Sequence, residues 1–345
     1  MPQVIFNGRR GVCLENNQAR LTVLYEGGHI AEFFDKTTGI SPLWIPPWDS
    51  LEPSLFDAQK HTDFGTGVDA KLLAGIMGHS LCLDIYGGPS VEEATAGLTL
   101  HGESSVALYE ISEARDSVHM CATFPLAQLR FERRIKLSGL SISVSESVEN
   151  LVALDRPIAW TQHVTLGPPF IERGVTQLRL TGSRSKVFEI SFGADDYLSL
   201  GAEFDWPQAP LIGGGVEDLR EISSRPVSSA FSTHLMDSSL ETSSFTAFHP
   251  GYRLAITYAW QRRDFPWLGM WEENCSRKVA PWLGRTLTRG LEFGVSPMPE
   301  SRREMVERNR MFDTPVYRWL PAKSRLEVNY SAMLSRAEAM RNIEQ

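Results

Sequence analysis

Leu140-Ser141-Ile142-Ser143-Val144-Ser145-Glu146-Ser147-Val148-Glu149-Asn150 places an apolar residue at nearly every second position. Successive side chains of a strand point to opposite faces, so this period predicts a half-buried antiparallel strand. Shorter β-like runs at 19–24, 106–111, 178–180, 187–191 and 253–258 repeat the signal on either side. Gly87-Gly88-Pro89, Gly167-Pro168-Pro169 and Gly213-Gly214-Gly215 supply turns between runs rather than linkers between domains. Helix formers with repeated charges gather only late, over 299–311 and 325–343, where peripheral helices are expected. Many strands and few helices point to an all-β protein, a large sandwich or barrel. No glycine-rich dinucleotide loop follows a strand, which argues against a Rossmann-like unit. The expected division is a β domain over 1–324 and a C-terminal helical extension over 325–345.

A chain of 345 residues with 42% hydrophobic content can bury a sizeable core in one large β domain. The net charge of −8 comes from dispersed acids, not a basic face. That excludes nucleic acid or an anionic membrane as the main partner and suits a small neutral substrate. The N-terminal stretch has no basic segment followed by an apolar run, and no stretch approaches roughly 18 uninterrupted apolar residues. The expectation is a soluble, cytoplasmic protein. Cys13, Cys82, Cys121 and Cys275 are scattered with no CxxC pair, so they read as buried thiols rather than a zinc cluster or disulfide framework.

Two histidines stand in distinctive contexts, Leu98-Thr99-Leu100-His101-Gly102-Glu103 and the passage from Asn150 through Pro157 to Gln162-His163. A late carboxylate pair lies in Trp271-Glu272-Glu273-Asn274. Such groups supply an acid, a base and a positioning donor for sugar chemistry without a metal. To change anomer, a pyranose needs one group to remove the C1 hydroxyl proton while another protonates the ring oxygen. Each well-placed transfer typically contributes about 10²–10⁴-fold. Taken singly, His101 could support a turn, His163 could bond a core carbonyl, and Glu272-Glu273 could end a solvated strand.

In their order these segments resemble the aldose 1-epimerase, or galactose mutarotase-like, superfamily. His101-Gly102-Glu103 is similar to its first histidine motif, and Asn150, Pro157 and His163 to the passage carrying its second. Phe204-Asp205-Trp206-Pro207, followed by Pro210-Leu211-Ile212-Gly213-Gly214, resembles its Phe-Asp-aromatic loop. Trp271-Glu272-Glu273-Asn274 is similar to its late Glu-x-Gln strand, with Asn274 in place of Gln. The resemblance runs from about Glu26-Gly27-Gly28-His29-Ile30 to Glu292-Phe293-Gly294. It implies a large antiparallel β-supersandwich, no cofactor, and a carbohydrate as small-molecule partner; a metal held by His101, Glu103 and His163 is not expected, because they lack compact metal-ligand spacing. It also implies Glu272 as general base, His163 as general acid and His101 as the donor polarising the ring oxygen.

Adjacent strand residues face opposite ways, so only one of Glu272 and Glu273 enters a cleft. Alignment of Glu272-x-Asn274 with the superfamily's Glu-x-Gln favours Glu272, with Glu273 left as a substrate contact. Glu103, Asp205, His234, Asp237, Trp160 and Trp271 complete the candidate substrate-binding set. Trp44, Trp48, Trp206 and Trp267 offer further flat surfaces for a sugar's C–H face. Asp84, Glu103, Arg277, Arg289 and Glu292 could line a polar pocket, but ion pairing is the simpler expectation. The arginine-bearing segment that precedes the first histidine in better-known mutarotases is replaced by Gly78-His79-Ser80-Leu81-Cys82-Leu83-Asp84-Ile85-Tyr86-Gly87-Gly88. Specificity for galactose or glucose is therefore not implied. A carbohydrate lyase or hydrolase on the same fold, or a non-catalytic carbohydrate-binding module, is the alternative; the oligomeric state is left open.

Overall fold

The alternating stretch forms the strand Ser141–Asn150, with Ile142, Val144 and Val148 buried on one face. In the computed structural model, which describes residues 3–343, it lies inside an eight-stranded sheet facing a twelve-stranded one. Every ladder between the described strands is antiparallel. The main core fills the space between the two sheets. Leu83, Trp160, Met270, Leu291 and Phe293 enter it from the larger sheet, and Val118, Phe131, Val144, Ile256 and Val328 from the smaller.

Five strands of the large sheet carry the site: β1 (His79–Asp84), β2 (Arg156–Leu166), β3 (Ser228–Met236), β4 (Trp267–Asn274) and β5 (Leu287–Gly294). In space they run β1-β2-β5-β4-β3. They are buried on both faces, because loops and short helices pack on the outer side around a second apolar cluster. That cluster includes Trp44, Leu72, Tyr86, Phe231, Trp271 and Trp282. A strand covered on both sides loses its polar-out pattern, so which face each residue takes is set by strand parity alone.

The C-terminal extension differs from expectation. Arg325–Arg336 is a strand, not a helix, and pairs with both Ser141–Asn150 and Leu254–Gln261 in the interior of the smaller sheet. Val328, Tyr330, Ala332 and Leu334 are buried in alternation, and two flanking ladders override the helix propensity of its residues. The segment thus belongs to the β domain rather than forming an appendage from residue 325. Beyond it stands only a three-residue 3₁₀ turn, Met340–Asn342, and residues 344–345 lie outside the described part. The helix expected over 299–311 contracts to Arg302–Arg308, opened by a reciprocal Ser301/Glu304 capping box. Of the four thiols, Cys13 and Cys82 are buried and Cys121 and Cys275 half-buried, all unpaired. Among the described residues no helix is long and apolar enough to cross a membrane.

Candidate active site

Strand parity sorts the candidates into two groups. On β4, Leu268 and Met270 enter the inter-sheet core while Trp267 and Trp271 join the outer cluster; Glu272 therefore faces inward and Glu273 outward. On β2, Trp160 faces inward and His163 outward; on β5, Leu291 and Phe293 face inward and Glu292 outward. The outward set meets at a cavity of about 180 Å³ lined by His101, His163, Trp271, Arg277, Trp282 and Glu292, among others. Typical drug-sized ligand sites span about 300–1,000 Å³, so this one suits a single ring rather than a chain of sugars.

His163 and Glu292 are direct cross-strand partners in the β2/β5 register. His163 Nε2 stands 3.2 Å from Glu292 Oε1, and its Nδ1 is 3.0 Å from Thr165 Oγ1. The Tyr86 hydroxyl donates to Glu292 Oε2, so the carboxylate is held from both sides. Gly290 makes room for it: a Cβ there would sit 2.4 Å from Glu292 Oε1. Gly269 does the same for Tyr86, whose hydroxyl would lie 2.6 Å from a Cβ. Burial pushes the Glu292 carboxyl above its ordinary range, against the opposing pull of His163 and the Tyr86 hydroxyl.

The His101 ring lies 4.9 Å from that of His163, centroid to centroid. It reaches the cavity from a tight turn in which His101 has φ 67° and Gly102 φ 78°. The His-Gly pairing has a steric cause, since a Cβ on residue 102 would fall 2.4 Å from the Leu83 carbonyl oxygen. Burial, reinforced by His163 and His29, holds His101 well below the usual histidine range, so its ring is neutral. Its Nδ1 has no protein partner, and neither does Trp271 Nε1.

Glu272, expected as the base, lies across the sheet from this cavity. It is buried against Arg289 and accepts hydrogen bonds from the hydroxyls of Ser228 and, at 3.1 Å, Tyr197. Glu273 faces outward but is occupied by the backbone N–H groups of Ser276 and Arg277 and by the Arg277 guanidinium at 3.4 Å. Of the remaining candidate binding residues, Trp271 lines the cavity and the others do not. Trp160 is in the core, donating to Glu146 at 3.1 Å. His234 faces inward between Ser185 and Ser232. Glu103 accepts the backbone N–H groups of Leu126 and Ala127, Asp205 is exposed on the strand Glu203–Asp205, and Asp237 caps an exposed turn through Ser239.

The ion pairing expected for Asp84 and Arg289 is present: Asp84 binds Arg156 and Arg302, and Arg289 binds Glu272. Arg277 and Glu292 pair as well, yet also line the cavity. Trp282 and Tyr86 are additions that the sequence reading did not single out. The apolar pair Leu291 and Phe293 flanking Glu292 was a usable signal, because two inward neighbours force the residue between them outward. For Trp282, in a loop, no periodicity could have marked it.

By sequence, neither a family model nor a curated protein matches the chain. Among solved structures it is similar to a provisionally named aldose 1-epimerase from Klebsiella pneumoniae, with 13% identity, TM-score 0.67 and 97% of this chain covered against 83% of that one. It is similar to another from Escherichia coli, with 13% identity, TM-score 0.64, and 95% and 100% covered. A galactose mutarotase-like protein from Clostridium acetobutylicum shares 11% identity at TM-score 0.61, with 97% and 98% covered. At such identities what is shared is the architecture: the chain has the galactose mutarotase-like fold.

Proposed function

We propose that this protein is an aldose 1-epimerase-like isomerase that interconverts the anomers of a free sugar by acid–base ring opening. The observation that supports it is the meeting of Glu292, His163 and His101, from three separate parts of the chain, in one cavity the size of a sugar ring. In this reading Glu292, not Glu272, takes the C1 hydroxyl proton as the C1–O5 bond breaks, and His163 delivers a proton to O5. The open aldehyde rotates about C1–C2. Closure reverses the roles: His163 recovers the O5 proton, and Glu292 returns its own to the former carbonyl oxygen on the other face. His101, neutral, hydrogen-bonds near the ring oxygen and helps hold the substrate. The contact between Glu292 and His163 is compatible with this, since catalytic hydrogen bonds rearrange when substrate arrives.

The small volume of the cavity favours a monosaccharide over the polymer substrates of lyases and hydrolases. Two-dimensional exchange NMR of α and β anomers over a panel of aldoses tests the assignment. Exchange above the buffer rate, abolished by Glu292→Gln and strongly depressed by His163→Asn, is expected. Exchange at the buffer rate for every sugar would leave a non-catalytic carbohydrate-binding protein as the better description.

A further inference from the structure

The cavity's walls are poor in hydrogen-bonding groups. Among the described residues lining it, only His101, His163, Arg277 and Glu292 are titratable; the others are apolar or aromatic, including Leu72, Leu73, Ile76, Leu100, Phe192 and Phe231. His163 and Glu292 are committed to the reacting C1 and O5. Beyond them the side chains in the lining that can hydrogen-bond a substrate are His101, Trp271 and Arg277 alone. Arg277 is charge-paired within the protein: its Nε stands 3.4 Å from Glu273 Oε2, and its guanidinium lies over the rings of Trp271 and Trp282 at 5.6 and 4.8 Å. Asp69 and Asp196 add negative potential around the same guanidinium. Its charge is thus balanced from within the protein.

On an ordinary hexopyranose every carbon outside this reacting centre carries a hydroxyl or a hydroxymethyl group. Each hydroxyl pressed against Leu or Phe loses water without gaining a partner, which costs roughly a factor of ten or more in affinity. A C–H or methyl group at the same place fits instead against aromatic and aliphatic walls. We infer that the substrate is an uncharged aldose whose non-anomeric end is deoxygenated or O-alkylated, not a fully hydroxylated hexose, a uronate or a sugar phosphate. This rests on the epimerase reading of the same site and names its substrate class. The wall residues are then specificity determinants: they select by leaving hydroxyls unpaired.

The test uses matched pairs of the same stereochemistry on the wild-type protein: D-fucose against D-galactose, and 6-deoxy-D-glucose and 3-O-methyl-D-glucose against D-glucose, with D-galacturonate and D-galactose 6-phosphate as anionic controls. Anomer exchange by NMR gives kcat/KM, and quenching of tryptophan fluorescence reports binding separately. At least one deoxygenated or methylated sugar is expected to exceed its parent by about tenfold or more in kcat/KM, with both anions slower than their neutral parents. Leu100→Asn, which adds an amide to a half-buried wall position, is expected to move that ratio back toward the hydroxylated parent. If the parents or the anions exchange as fast as the modified sugars, the substrate class is wrong while the epimerase reading stands. If nothing exchanges but the modified sugars still quench more tightly, the class survives and the reaction is wrong. No exchange and no binding preference overturns both.

Discussion

Glu272 and Glu292 are both buried carboxylates on neighbouring strands, and the sheet between them makes their substitution a double dissociation. Glu292→Gln preserves volume and still offers an oxygen to the Tyr86 hydroxyl, but removes the proposed base. The expected loss is about 10²–10⁴-fold in kcat, which corresponds to roughly 2.7–5.4 kcal/mol of transition-state stabilisation. Thermal unfolding should scarcely move. Glu272→Gln instead strips the carboxylate from Arg289, which is 2% exposed. Breaking a buried pair by removing one partner costs about 3–5 kcal/mol. An unfolding entropy of about 2.1 cal/mol/K per residue over 345 residues converts this to a Tm lower by roughly 4–7 °C. The surviving folded fraction should keep its specific activity. Differential scanning calorimetry and exchange NMR on the same two preparations decide the matter. A Glu272→Gln protein that melts normally yet fails to exchange, beside a fully active Glu292→Gln, would refute the parity argument and the assignment of the base together.

Gly290→Ala should displace the Glu292 carboxylate, because the new Cβ would sit 2.4 Å from its Oε1 and 3.1 Å from the Trp271 Cβ; kcat is expected to fall by an order of magnitude or more, about what loss of part of a general-base contribution implies, with circular dichroism unchanged. Gly102→Ala sets a Cβ 2.4 Å from the Leu83 carbonyl at φ 78°, costing at least about 1–2 kcal/mol from the left-handed backbone alone; a Tm equal to wild type would show that the His101 turn tolerates a side chain. His234 is held at about 3 by burial, with Arg289 adding to it, while the unfolded ring titrates near 6.5. Its neutral form therefore contributes stability that is fully present above about pH 6.5 and is lost as pH falls from there toward about 3. His29, His79 and His101 are lowered mainly by burial too and steepen the same slope. His234→Gln should flatten the dependence of Tm on pH between about 6.5 and 4, and a slope identical to wild type would remove His234 from that account.

The Leu140-to-Asn150 pattern was enough to predict its strand, and the spread of such runs was enough for an antiparallel β protein. Alternation is a local property, visible wherever one face is dry and the other wet. The same rule was present in Arg325–Arg336, but its strong helix formers masked it until two neighbouring strands were in place. His101, His163 and Trp271 could be picked out because their segments, taken in order, resemble those of the galactose mutarotase-like superfamily; singly, none of the contexts was decisive. That Glu272 or Glu273 had to face away was also legible. Which one faced the cavity was not, because the strand is buried on both sides and its burial carries no period.

By itself, then, the sequence determined what the backbone could locally do: alternate, turn at Gly102, and pair in antiparallel ladders. It also supplied two histidines and several carboxylates compatible with proton transfer. Tertiary structure decided which of these groups meet. β2 and β5 lie side by side in register, although His163 and Glu292 are far apart along the chain, and that pairing brings Glu292 to His163. Loops packed on the outer face of the sheet then close an apolar cavity around them. Neither fact is local. Register and loop packing arise from burial summed over two sheets, so the partner of His163 is fixed by neighbours that no short stretch of sequence contains.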